Sequence, residues 1–231
     1  MRRALHWLTR GLAIFVGLFL LGQLWFFGQA INYKYRAPVE TAFMSERLAG
    51  LREKNPRAQI QYRWVPYARI SVHLKRALIA AEDAKFVEHE GFDWDGIQAA
   101  LDKNRKRGKT VAGGSTITQQ LAKNLFLSPS KNYLRKGEEA LITIMLEAVL
   151  DKERILELYL NVIEFGSGVF GAEAAAQRYF NVRAADLSPD QAARLAAMAP
   201  NPRFYERNPH APGLQRKIGI IRERMHGAEL P

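Results

Sequence analysis

The segment Glu82-Asp83-Ala84-Lys85-Phe86-Val87-Glu88-His89-Glu90-Gly91 is the first whose residue types could do chemistry. Glu82 stands four residues after Leu78 and four before Phe86, so on a helix it borders an apolar stripe. A carboxylate among apolar groups has its pKa raised, which suits a general base near neutral pH. An acidic cluster at a helix end, with His89 as a structural hydrogen-bonding residue, explains the segment equally well. The second segment runs from Gly113-Gly114 through Ser115, Thr116, Gln119 and Gln120 to Lys123 and Asn124. Thr116, Gln120, Lys123 and Asn124 share one helix side, opposite Leu121 and Leu125. A helix N-terminus so rich in donors suits an anionic or sugar ligand; a well-capped helix with a polar face is the plainer explanation. In the third segment Arg135, Lys136 and Glu139 cluster at i+3 and i+4 spacing, with Glu139 at the edge of a buried face and Glu138 a second acid beside it. A surface salt bridge is its ordinary meaning. The fourth, Lys152 to Asn161, reads as an amphipathic helix with a structural role.

Helices must present these groups. Leu74, Ala77, Leu78 and Ala81 form a stripe leading up to Glu82, and a second helix is expected from Trp94 to about Lys106. Thr116 with Gln119 forms a capping box. A long helix is expected from Tyr133, burying Ile142, Met145, Leu146 and Val149, and another from Lys152 to Asn161. Gly166, Gly168 and Gly171 mark a turn-rich break, and helices near 171–180, 188–199 and 213–226 follow, the middle one opened by Ser188-Pro189. No repeat and no strand ladder is evident, so the class is mainly α.

The 231 residues suffice for one compact domain and an appendage. Lys and Arg number 34 against 23 acids, giving +11. Such a surplus points to polyanions: nucleic acid, anionic headgroups or a phosphorylated substrate. The absence of cysteine excludes disulfides and thiolate metal sites. Arg2, Arg3 and Arg10 precede an apolar run from Gly11 to Ile31 broken by Gln23 and Gln29. At roughly 20 residues it can cross a hydrocarbon core of about 30 Å. Trp25, Phe26, Phe27, Tyr33 and Tyr35 would form an aromatic belt at its outer edge, and the positive-inside rule places the body outside the cytoplasm. Gly28-Gln29-Ala30 leaves a cleaved signal peptide as the competing reading. Export argues against nucleic acid as partner. The expected organisation is a cytoplasmic tail (1–10), a transmembrane helix (11–31), a polar connector (32–66) punctuated by Pro38, Pro56 and Pro66, and a domain from 67 to 231. The basic run Lys103, Arg105, Lys106, Arg107 and Lys109 reads as a solvated segment or as a loop near anionic headgroups.

Together the four segments resemble the family 51 peptidoglycan glycosyltransferases, found as monofunctional transglycosylases and as N-terminal modules of class A penicillin-binding proteins. The pattern E-D-x-x-F-x-x-H-x-G covers Glu82 to Gly91, G-G-S-T-I-T-Q-Q-L-A-K-N covers Gly113 to Asn124, R-K-x-x-E covers Arg135 to Glu139, and K-x-x-I-L-E-x-Y-L-N covers Lys152 to Asn161. The resemblance spans roughly residues 60 to 205. It implies a lysozyme-like helical domain that polymerises lipid II into β-1,4-linked glycan strands and releases undecaprenyl pyrophosphate. By it, Glu82 is the base that deprotonates the acceptor hydroxyl and Glu139 is the second essential acid. Lys123, Arg135 and Lys136 would stabilise the leaving pyrophosphate. Asp83, Phe86, His89, Gly114, Ser115, Thr116, Gln119, Gln120 and Asn124 would shape the site and hold sugar and phosphate oxygens. No cofactor is evident beyond a divalent cation, Mg or Mn, at the pyrophosphate. The expected surroundings are the inner membrane, with the domain on the periplasmic side among other wall-building proteins.

A lytic muramidase shares the helical core and a catalytic Glu, but a glycosidase needs a general acid as well. A non-catalytic membrane-tethered scaffold is the alternative from another class. Ser128-Pro129-Ser130-Lys131 matches the S-x-x-K motif of penicillin-binding transpeptidases, but no S-D-N or K-T-G follows. The purified protein is therefore expected to take up no fluorescent β-lactam; a labelled band on a denaturing gel would contradict this.

Overall fold

A computed structural model describes residues 2–108, 113–128 and 133–231. Lys109 of the basic run and Pro129 to Lys131 of the S-x-x-K match lie outside the described residues. The chain is mainly helical, as its periodicity predicts. It opens with α1 (Arg2–Tyr35), longer and more apolar than any other helix. This helix runs past both ends of the expected 11–31 segment, through the tail and into the connector. Its upper part does more than form a belt. Phe26 and Tyr33 pack on Phe126 with ring centroids 5.4 and 5.7 Å apart, while Trp25 and Phe27 stay exposed.

The connector is more ordered than its composition suggests. It contains α2 (Ala42–Arg52), capped by Thr41, whose hydroxyl accepts from the Met44 amide at 3.2 Å. It also contains the short strand β1 (Gln61–Tyr62). Only Met44 of α2 is fully buried, so the helix carries almost no apolar periodicity to read. A single-turn 3-10 helix (Tyr67–Arg69) then leads to α3 (Val72–Glu82), with Ser71 as N-cap. Leu74, Ala77 and Leu78 are buried as expected, and Ala81 is half-buried. The surface helix α4 (Trp94–Arg107) follows, capped by Asp93 and closed by Gly108 in the left-handed region.

Helix α5 (Ile117–Phe126) is the centre of the body. The capping box is present: the Thr116 hydroxyl accepts from the Gln119 amide at 3.3 Å, and the Gln119 side chain accepts from the Thr116 amide at 3.1 Å. The sequence suggests one polar and one apolar side, yet α5 is enclosed by α2, by α6 (Tyr133–Val149) and by α7 (Lys152–Val162). Its polar side chains are therefore walled into a cleft. On α6, Ile142 and Leu146 are buried while Met145 and Val149 are half-buried. The glycine-rich break folds into β2 (Glu164–Gly166) and β3 (Val169–Phe170). With β1 parallel to β3 they form a three-stranded sheet of order β1-β3-β2. Strands this short leave no alternating pattern, which is why no ladder is visible in the sequence. Four helices complete the chain: α8 (Gly171–Phe180), α9 (Pro189–Met198), α10 (Pro202–Arg207) and α11 (Pro212–Arg224), with α9 and α11 packed on α3. Ser188 and Gln191 form a second capping box at α9.

Asn161 joins the connector to this body. Fully buried, its side-chain oxygen accepts from the Val65 amide at 2.9 Å, and its nitrogen donates to the Val65 and Glu157 carbonyls at 3.0 and 2.9 Å. Removing such a side chain strands buried main-chain groups, at about 1–3 kcal/mol each. Asn161→Ala is expected to lower unfolding stability by about 2–4 kcal/mol, read as a shift in the denaturant midpoint; a change under about 0.5 kcal/mol would show that Asn161 carries no such load.

Candidate active site

Glu82 is the last residue of α3, so helical geometry ends where its carboxylate leaves the core. Its Oε2 accepts from the Gln120 side-chain nitrogen at 2.8 Å, and the Gln120 oxygen accepts from the Tyr159 hydroxyl at 3.1 Å. Tyr159 is buried. A chain from α7 through α5 thus holds Glu82, leaving its other oxygen, Oε1, buried without a partner among the described residues. Burial pushes the Glu82 pKa up, opposed by the Gln120 hydrogen bond and by the charges of Lys217 and Lys123. The carboxyl is held in place with one oxygen uncommitted and a raised proton affinity, the attributes of a general base.

Asp83 turns inward. One oxygen contacts His89 Nε2 at 2.9 Å and the other accepts from the Ile117 amide at 2.9 Å, so Asp83 caps α5 from the residue next to Glu82. Phe86 has no exposed surface, and the Lys152 ammonium lies 4.8 Å from its ring centroid. Lys152 also donates to the His89 carbonyl at 2.5 Å and pairs with Glu147 at 2.8 Å. The following turn ends at Gly91, at φ +85, where an added Cβ would meet Thr143. The Gly91 carbonyl accepts from the Thr116 hydroxyl at 2.7 Å. Asp83, Phe86, His89, Thr116 and Gln119 therefore brace the surroundings of Glu82, while His89 Nδ1 stays buried without a partner among the described residues.

Asp83 and Thr116 also line the cleft beside Glu82, and further residues complete it. Gln120, Lys123, Asn124 and Arg135 face a cavity of about 380 Å³, together with Tyr159, Arg47, Glu164 and Arg203. Glu82, Gly114 and Ser115 face a smaller one of about 190 Å³. Gly114 lies against α4, where an added Cβ would come within 3.1 Å of the Ile97 backbone. Glu139, buried, receives Arg135 at 2.6 Å on one oxygen and Lys136 on the other. Lys136 also reaches the Ser115 hydroxyl at 3.3 Å. Burial lowers the Lys123 pKa, with Arg135 and Lys136 adding to the effect and Glu139 and Glu82 opposing it. Three cations thus converge beside Glu139, which is already paired with two of them, while Glu164 across the cavity is paired with Arg47. This arrangement attracts an anion.

The neighbouring acid Glu138 points elsewhere. It accepts from the Gln23 side chain of α1 at 2.7 Å, so the two adjacent acids divide between the anchor helix and the cleft.

A family model described as Transglycosylase matches residues 50–226. The chain belongs to the transglycosylase family. It is 62% identical to a biosynthetic peptidoglycan transglycosylase of Dechloromonas aromatica over 226 residues, 98% of each chain. It is 59% identical to one of Laribacter hongkongensis over 227 residues, 98% of this chain and 100% of the other. It is 55% identical to one of an Azoarcus species across all 231 residues, 100% of both. The domain of this transglycosylase is accordingly the lysozyme-like helical fold.

The residues do not fit a divalent cation held by the protein. Both Glu139 oxygens already face cations, and no group of three or more His, Asp or Glu side chains is poised for a metal among the described residues. Several residues of the transglycosylase cleft were not singled out in its sequence. Tyr159 and Lys152 belong to the segment read as structural, yet one holds Gln120 and the other the Phe86–His89 turn. Arg47 sits in the polar connector and Arg203 in a six-residue helix, and Lys217, whose charge acts on Glu82, sits in α11, where nothing in the sequence marks them.

The fold favours protonated Glu82, so its contribution to stability is greatest below the ordinary carboxylate pKa and declines as pH rises through the higher folded value. Catalysis by a base needs the opposite form, so activity should climb across that window. Gln120→Leu removes a bond that lowers the Glu82 pKa. The acid limb of the kcat/KM profile is expected to move to higher pH; an unmoved limb would detach Gln120 from Glu82.

Proposed function

We propose that the chain is a peptidoglycan glycosyltransferase that polymerises lipid II, with Glu82 as general base. The observation that carries this reading is the pairing of one uncommitted, tethered carboxylate with a separate cluster of three cations. A pyrophosphate needs charge stabilisation to leave and no general acid. In the proposed step Glu82 Oε1 takes the proton of the acceptor 4-hydroxyl as that oxygen bonds to C1 of the donor sugar. The bond from C1 to the pyrophosphate breaks, its electron pair leaves with the phosphate oxygen, and the configuration at C1 inverts. Lys123, Arg135 and Lys136 receive the developing charge, and Glu139 holds the latter two in place. Gln120, Asn124 and Ser115 are the polar groups left to meet sugar and phosphate oxygens. Helix α1 serves as the membrane anchor. The basic residues at its start support, by the positive-inside rule, a body on the periplasmic side of the inner membrane, where a lipid-linked donor would be delivered in the plane of the bilayer.

The test is incubation of the full chain in neutral detergent with lipid II alone. Glycan strands resolved by size are the expected product, and Glu82→Gln should slow their formation by about 10²–10⁴-fold, the range of a lost general base. Cleavage of preformed glycan with no polymer would point to a lytic enzyme. An unchanged rate in the variant would remove Glu82 from its role.

A further inference from the structure

Beyond Arg47 and Arg203 the cleft continues. These two arginines also line a second cavity of about 330 Å³, enclosed by α2 and α10, whose rim adds Lys54 and Arg207. Arg47 is fixed between the two cavities: it pairs with the buried Glu164 at 2.9 Å and lies over the Phe43 ring at 5.1 Å. Its Nε is buried without a partner among the described residues. Among the described residues Glu206 is the carboxylate that lines the second cavity, and it is already engaged. It accepts from the Ser167 amide at 2.8 Å and lies 3.9 Å from Arg178. Among the described residues four cations therefore surround a space whose own acid is committed, with Leu51 as its one large apolar side chain. An acyl chain finds no floor there; an anion does.

On the function proposed above, the substrate carries negative charge in two places: the pyrophosphate, and the free carboxylates of the peptide borne by the same disaccharide. The first cavity, with Lys123 and Arg135, answers the pyrophosphate. We propose that the second cavity, between α2 and α10, is a subsite for a carboxylate of the substrate's peptide, with Arg207 and Lys54 as its outer contacts. Arg47 and Arg203 form the shared wall, so one molecule can place its two anions on either side of it. The planar guanidinium of Arg207 suits bidentate recognition of a carboxylate. This subsite rests on the proposed function and assigns the peptide, which the chemical step does not touch, a share of binding.

The test compares the full chain with the Lys54→Ala, Arg207→Ala double variant in neutral detergent. One substrate is the lipid-linked disaccharide-peptide with free carboxylates; the other is the same molecule with those carboxylates amidated. The variant's KM for the free form is expected to rise about five-fold at unchanged kcat, the size that two exposed ion pairs supply. For the amidated form the two enzymes should match, and Arg207→Lys, which keeps the charge but loses the planar fork, should restore only part of the native KM for the free form. An equal loss on both substrates would reduce the residues to supports of α2 and α10, and no change on either would empty the subsite; both outcomes overturn the proposal. A third arm repeats the comparison in anionic phospholipid vesicles: a loss that appears only there and ignores the peptide would assign the cavity to lipid headgroups and overturn the proposal too. Failure of the native chain to polymerise either substrate would refute the glycosyltransferase reading itself, a distinct result.

Discussion

The hydrogen bond from the Ile117 amide to the Asp83 carboxylate fixes the geometry on which the cleft depends. It takes one of the unpaired amides at the start of α5 and satisfies it with the residue beside Glu82. The end of α3 and the start of α5 are thereby locked at one point, and Gln120 and Lys123 follow at set positions along α5. His89 receives the other Asp83 oxygen, so the turn beyond the base is held by the same carboxylate. Lys152 and Gly91 then brace that turn against α7 and α6. Helix packing alone, with its freedom to slide, would not place one oxygen to this accuracy.

The site operates against its own stability. Burial raises the proton affinity of Glu82 and lowers that of Lys123, so both charged forms are disfavoured by the fold that positions them. Each partly offsets the other's penalty, and the tether from Tyr159 through Gln120 favours the ionised acid. Arg135, Lys136 and Glu139 add a pre-paired cluster whose net positive charge persists. Such arrangements are retained where function needs them and are compensated elsewhere, here by the alanine- and leucine-rich packing of α9 and α3.

What could be read in the sequence follows from how local each signal is. The capping box at Thr116 and Gln119, the stripe of α3 and the start of α9 are written within a few residues, and the structure contains them. The same residues show where local reading stops. Thr116 and Gln119 look like ligand groups by type, and the structure also employs the Thr116 hydroxyl and the Gln119 side-chain oxygen in the cap of α5. Asp83 likewise looks exposed beside an acid and is turned inward by α5. Adjacent acids Glu138 and Glu139 cannot be told apart by spacing to the apolar stripe; the presence of α1 on one side and two cations on the other separates them. Arg47 and Arg203 reach the cleft, and the charge of Lys217 reaches Glu82, only through tertiary folding, across separations that no motif records. Helix α2 is hidden for a related reason, since a helix that buries one methionine has no pattern to show.

Gln23 interrupts an otherwise apolar stretch, and its bond to Glu138 pins α6 to a fixed level along α1. Gln23 lies eight residues before Ile31, about 12 Å along a helix rising 1.5 Å per residue. With α1 across a bilayer, the beginning of α6 and its exposed Tyr133 and Leu134 sit below the outer end of the apolar segment instead of above it. On the proposed function the anchor is then a ruler as well as a tether, since it sets the height of Arg135 and Lys136, the groups proposed to meet the pyrophosphate. Bilayer thickness becomes a variable of the reaction, because a membrane that shifts α1 along its normal carries the cationic cluster with it.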